Sequence, residues 1–135
     1  MATSEREGNP CEQRHILVVD DEAVIREGMR RILENDGYRV ELSASGGVAI
    51  EKIKEGGFAV VITDLKMPGM DGIEVLKTIK VIQPDLPVII ITGYVTIDTA
   101  EEAMKNGAFD YLAKPFTPEQ ISEKVRKAVL RLPGC

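Results

Sequence analysis

Short runs of β-branched and aliphatic residues alternate along this chain with longer stretches whose apolar residues recur every third or fourth position. His15-Ile16-Leu17-Val18-Val19 is a continuous apolar run that stops abruptly at Asp20-Asp21. Val24, Ile25, Gly28, Met29, Ile32 and Leu33 follow at helical spacing, and Asn35-Asp36-Gly37 closes that helix. Tyr38-Arg39-Val40-Glu41-Leu42 alternates as a strand. A second helix starts near Ser45, buries Ala49, Ile50 and Ile53, and ends at Gly56-Gly57. Phe58-Ala59-Val60-Val61-Ile62-Thr63 is the next buried strand and ends at Asp64. Asp71 caps a third helix, with Glu74 three residues on and Ile73, Leu76 and Ile79 on its apolar face. Pro87-Val88-Ile89-Ile90-Ile91 is the fourth strand, with Thr92 at its end. Ile97, Ala100, Met104 and Ala108 mark a fourth helix closed by Asn106-Gly107. Phe109-Asp110-Tyr111-Leu112 is a short fifth strand, followed by Lys114-Pro115. Thr117-Pro118-Glu119-Gln120 opens the last helix with Pro at its first position, and Ile121, Val125, Ala128 and Val129 form its buried stripe.

Runs apolar on both faces mark strands covered by helices on two sides. The pattern therefore predicts an α/β fold, (βα)5, a flavodoxin-like doubly wound parallel sheet in the order 2-1-3-4-5. Residues 14–131 form the single domain, flanked by a polar tail at 1–13 and a stub at 132–135. Composition agrees: 44% hydrophobic and 29% charged residues are globular proportions, with enough apolar side chains for one core. A net charge of −5 argues against direct nucleic-acid binding by this segment. Cys11 and Cys135 lie far apart without a CxxC, so neither a disulfide framework nor a soft-metal site is expected, and a cytoplasmic setting is the default. No apolar run is long enough for a membrane helix.

Ligands of an open parallel sheet bind outside the carboxyl ends of its strands, where the strand order switches. Asp20-Asp21, Asp64, Thr92 and Lys114 stand at those ends, while the second strand runs into Ser43-Ala44-Ser45. Three carboxylates brought together repel unless a cation neutralises them. An all-oxygen set suits Mg²⁺, and a lysine and a hydroxyl beside it suit phosphoryl transfer.

The runs VVDDE, TDLKMPGMDG, the TG after the fourth strand and DYLAKPF, in this order and spacing, resemble the receiver domains of bacterial two-component response regulators. The likeness extends from about Arg14 to Leu130. It implies that Asp64 is the nucleophile that becomes an aspartyl phosphate. Asp20 and Asp21 would hold Mg²⁺ together with Asp64 and the Lys66 backbone carbonyl. Lys114 would pair with the phosphoryl group, and Thr92 would move towards it. Tyr111 would turn inward with Thr92 as an aromatic switch, and Lys114-Pro115 would be a cis peptide. A sensor histidine kinase is the implied donor, and the domain is a switch, not an enzyme, apart from its own phosphorylation and slow autodephosphorylation. The face of the fourth helix, fifth strand and fifth helix is the implied output surface, for a homodimer or another partner. The segment from Thr92 to Phe116 is similar to receivers of the nitrogen-regulator type, which precede AAA+ and DNA-binding modules in activators of transcription. Bulky Lys66 and Tyr94 are expected to obstruct an attacking water and slow dephosphorylation.

Plainer readings exist for each residue alone. Asp20-Asp21 can cap a helix, Asp64 can start a loop, Thr92 can be a strand former and Lys114 a solvated strand end. They fail jointly, because all five meet at one end of one sheet. A haloacid-dehalogenase-type phosphatase would need an acid two residues after its nucleophile, where this chain has Lys66. A flavodoxin-like cofactor binder would need a phosphate loop where this chain has Asp20-Asp21-Glu22. A receiver used only for docking, without phosphorylation, remains the alternative.

Overall fold

A computed structural model describes residues 14–67, 69–93 and 97–131; the tail, the stub and Tyr94 lie outside them. Strands β1 (His15–Val19), β2 (Arg39–Ser43), β3 (Val60–Asp64), β4 (Val88–Thr92) and β5 (Asp110–Ala113) form one parallel sheet in the order β2-β1-β3-β4-β5. Helices α1 (Ala23–Asn35), α2 (Gly46–Glu55), α3 (Gly72–Ile82), α4 (Ile97–Lys105) and α5 (Pro118–Leu130) connect and cover it. The expected fold class and strand order are both present. An antiparallel ladder of two residues on each side, Lys66–Met67 with Met70–Asp71, closes the loop between β3 and α3 and was not expected.

Period-two alternation sorts the strand residues into two cores. Ile16, Val18, Val60, Ile62, Ile89, Ile91 and Leu112 face Met29 and Leu33 of α1 and Ile121, Val125 and Ala128 of α5. Leu17, Val19, Val61, Val88 and Ile90 face Ala49 and Ile53 of α2, Ile73, Leu76 and Ile79 of α3, and Ala103 of α4. Every residue of β3 and β4 is buried, which is why their sequences read as unbroken apolar runs.

Three local expectations are corrected. Val24 belongs to the first turn of α1 but is 83% exposed, because the sheet side of that helix runs through Met29 and Leu33. Met104 is exposed, and Ala103 is the α4 side chain that packs on the sheet. Strands β2 to β5 each lie one or two residues nearer the carboxyl end than their apolar runs suggest. The α5 start is as expected: Thr117 accepts from the Gln120 N–H, Gln120 answers with its side chain, and Pro118 stands in the first turn.

Candidate phosphoacceptor site

The sheet register explains which strand-end side chains can meet. Val18 pairs with Ile62 and Val19 with Thr63, so one step further on Asp20 and Asp64 are neighbours. Both continue the face of Ile16, Val18 and Ile62, the α1–α5 side of the sheet. Lys114 extends the row of Leu112 on the same side, and its N–H donates to the Thr92 carbonyl at 2.9 Å, one step past the end of β5. The Lys114–Pro115 peptide is cis, as expected.

Charge is concentrated here. Lys114 Nζ lies 2.8 Å from Asp64 Oδ2, 3.1 Å from Asp20 Oδ2 and 3.1 Å from Glu22 Oε1. Asp20 is fully buried and Asp64 nearly so. Asp64 Oδ1 accepts the Lys66 N–H at 3.1 Å, and Asp20 Oδ1 accepts the Glu22 N–H at 2.9 Å. The Asp20 carbonyl accepts from Arg26 Nη1 at 2.7 Å. Asp20 Oδ2 has the ion-pair contact with Lys114 but no hydrogen bond of good geometry, so one oxygen of a buried carboxylate is left under-satisfied. Burial raises the Asp20 carboxyl above its usual range, against the opposing pull of the Glu22 N–H and Lys114. For Lys114 burial acts to lower the ammonium, but its hydrogen bonds to Asp64, Glu22 and Asp20 outweigh that and raise it overall.

An open pocket of ≈ 460 Å³ lies over this cluster, bounded among others by Asp21, Glu22, Asp64, Lys66 and Lys114. Oxygens of Asp20, Asp21 and Asp64 come within 4.8 Å of one another. Only oxygen donors converge, one of them is an unsatisfied buried carboxylate oxygen, and an ammonium already sits between two of the acids. These features fit a hard divalent cation with several coordination positions left to water or phosphate. Lys66 stands on the pocket wall, next to the acid triad.

Thr92 and Tyr111 fall on the opposite side of the sheet. Thr92 follows Ile90 in alternation, and Tyr111 pairs with Ile90, so both face α4. They line a small cavity of ≈ 10 Å³ with Leu65, Ile90, Thr99 and Ala103. Thr92 is buried, while Tyr111 keeps 36% of its surface exposed. The expected convergence is therefore split by the pleat: three acids and Lys114 on one wall, the hydroxyl and phenol behind it. Reading strand ends without their parity missed this division.

Two further residues were not singled out from the sequence. Glu22 reaches Lys114 across the sheet, although its neighbours Asp20 and Asp21 already suggested an acidic strand end. Gly72 donates its N–H to the Leu65 carbonyl at 3.0 Å, and a Cβ there would lie 2.3 Å from that same oxygen. The β3–α3 loop can close at this point only around glycine. In the sequence Gly72 reads merely as part of a turn-rich segment.

Comparison with known proteins agrees with this geometry. The family described as "Response regulator receiver domain" matches residues 16–126. The transcriptional regulatory protein ZraR of Klebsiella oxytoca is 44% identical over 118 residues, which are 87% of this chain and 27% of the relative. The chain thus spans about a quarter of the length of several curated relatives it matches. Among solved structures, the beryllofluoride-activated NtrC4 receiver domain dimer superposes with a TM-score of 0.83 at 39% identity, covering 87% of this chain and 97% of that one. A Burkholderia pseudomallei response regulator with a phosphorylated aspartic acid and a calcium ion gives 0.79 at 31% identity, covering 87% and 69%. No helix among the described residues is long and apolar enough to cross a membrane.

Proposed function

The chain belongs to the response regulator receiver domain family, and from that premise we propose that it is a phosphorylation switch whose acceptor is Asp64. The observation that carries this reading is the meeting of Asp64 with Asp20, Asp21 and Lys114 at the mouth of one pocket. A carboxylate oxygen of Asp64 attacks the phosphorus of a phosphohistidine on a sensor kinase. The P–N bond breaks, the imidazole keeps the electron pair and takes a proton from water, and an acyl phosphate remains on Asp64. Water later attacks that phosphorus, releasing inorganic phosphate and restoring the carboxylate.

The residues present fit Mg²⁺: Asp20, Asp21 and Asp64 would hold it, with the Lys66 carbonyl as the further ligand that the family resemblance implies, and it would supply positive charge against the phosphoryl oxygens. Lys114 is already 2.8 Å from Asp64 and supplies the second positive charge. The phosphorylated aspartate of the Burkholderia relative supports the same chemistry here. Thr92 and Tyr111 read the event from behind the wall: a phosphoryl group on Asp64 draws the Thr92 hydroxyl, and the cavity it leaves admits Tyr111. Phosphorylation thereby favours one of two conformers at the α4–β5–α5 face. That face pairs with a second copy or an output module acting on transcription, a reading supported by ZraR and by the NtrC4 receiver dimer, and the setting we propose is the cytoplasm.

Incubation with acetyl phosphate and Mg²⁺, read by intact mass, tests the assignment. One labile phosphoryl adduct is expected, absent in Asp64→Asn and absent with EDTA. An adduct that persists in Asp64→Asn, or none with any donor, overturns it; the latter result would leave a docking module.

A further inference from the structure

An ammonium has three N–H bonds, and Lys114 has three carboxylate neighbours within 3.1 Å: Asp20, Glu22 and Asp64. Two of those N–H bonds donate to Asp64 and Glu22, and the third side of the ammonium faces Asp20 in an ion pair without good hydrogen-bond geometry, so carboxylates engage the lysine on three sides before any phosphoryl group arrives. A phosphoryl oxygen that approaches Lys114 therefore competes with these carboxylates, and the one held least firmly gives way. Asp20 and Asp64 are buried at the ends of central strands. Glu22 differs. Its side chain is 60% exposed, and it occupies the N-cap of α1 without making a capping hydrogen bond. An N-cap side chain normally turns back to the first free N–H groups of its own helix. Here it reaches instead to a lysine 92 positions away.

From this we infer that Glu22 is a detachable counter-ion of Lys114, a positioning residue that holds the lysine in the resting state and is displaced by the phosphoryl donor. The inference rests on the phosphoacceptor reading above. Glu22 is not one of the three acids whose oxygens cluster for a metal, so its effect falls on phosphodonor binding and not on Mg²⁺. Detaching a half-exposed ion pair is a small free-energy step, so its removal should favour the donor about three- to fivefold. The effect should shrink at high salt, because exposed charges are screened.

The test follows labelling by acetyl phosphate at saturating Mg²⁺ in wild type, Glu22→Ala and Glu22→Asp. Expected is a concentration giving half-maximal labelling about three- to fivefold lower in Glu22→Ala, with the maximal rate unchanged. Glu22→Asp should behave like Glu22→Ala, because the shortened side chain keeps its charge but loses its reach. If Glu22→Asp instead matches wild type while Glu22→Ala labels faster, the effect is general repulsion of an anionic donor and the counter-ion role is overturned. Weakening of Mg²⁺ binding about tenfold or more in Glu22→Ala would make Glu22 a metal ligand and overturn it too. Equal labelling of all three proteins overturns the Glu22 role alone. No labelling of wild type overturns the phosphoacceptor reading, and the Glu22 role with it.

Discussion

At the carboxyl ends of β1 and β3, Asp20 and Asp64 are buried with one ammonium between them and a carboxylate oxygen left without a hydrogen bond. Along the β1–β2 edge the charges are arranged differently. His15 Nε2 lies 3.4 Å from Glu41, whose other oxygen accepts from Lys52, and the imidazole rests against the Phe58 ring. That second group is partly solvated and each of its members has a partner. The first is an excess of acid whose two central carboxylates are buried. Two clusters on one sheet thus differ in what they contribute. The edge cluster ties β2 to α2 at little cost, whereas the strand-end cluster sacrifices stability to hold its carboxylates together, as the proposed switch requires.

The largest expected effect is that of the metal. At a Mg²⁺ concentration about a hundredfold above its dissociation constant, the gain in unfolding free energy should be ~2.7 kcal/mol by mass action. Thermal unfolding with Mg²⁺ and with EDTA measures it. His15→Gln should show the same gain, and a gain that depended on His15 would erase the distinction between the clusters.

Next in size is Asp20→Asn. It removes a charge that burial disfavours, while Lys114 keeps Asp64 and Glu22 as partners. Without metal the variant should be more stable than wild type by ~1–2 kcal/mol in urea unfolding, and it should lose most of the Mg²⁺ response. A less stable variant would mean that the Asp20–Lys114 contact outweighs the cost of burying the acid.

The smallest effect belongs to the edge. Lys52 holds the Glu41 carboxyl below its ordinary range, against the opposing effect of burial. A folded-state pKa below the unfolded one gives stability that is present above the unfolded value and lost as pH falls through the folded value. Glu41 is 36% exposed, so solvent discounts the contribution. Glu41→Gln should therefore cost less than about 1 kcal/mol at pH 7, and the two stability curves should converge only as pH falls below the ordinary carboxylate range.

Much of this was legible in the sequence, for identifiable reasons. Unbroken apolar runs in β3 and β4 announced strands covered on both faces, and Asp20, Asp21, Asp64, Thr92 and Lys114 each stood where a run ended. Strand boundaries were less legible, because apolarity and pairing are set by different neighbours. Tyr38 is buried under Arg14 and the α1–α5 core, not in the sheet, and β3 begins at Val60 because that is where Ile16 pairs with it. The partition of the site required parity along each strand relative to its neighbour, which appears only once register is fixed. Glu22 was illegible for another reason. An acid at a helix start reads as a cap, and only the folded chain brings Lys114 to it.

Gly72 has a consequence for how this loop can vary. Both fastenings between Leu65 and Gly72 are made by main chain: the Gly72 N–H on the Leu65 carbonyl, and the two-residue ladder inside it. The outer fastening leaves no space for a side chain at position 72, and Gly69 has a φ of 72° that favours glycine, whereas the Lys66 side chain is exposed. The segment is constrained in length far more than in composition. It behaves as a cassette: an exposed rim residue such as Lys66 can be exchanged one for one, while any residue but glycine at its hinge point dismantles the receptacle.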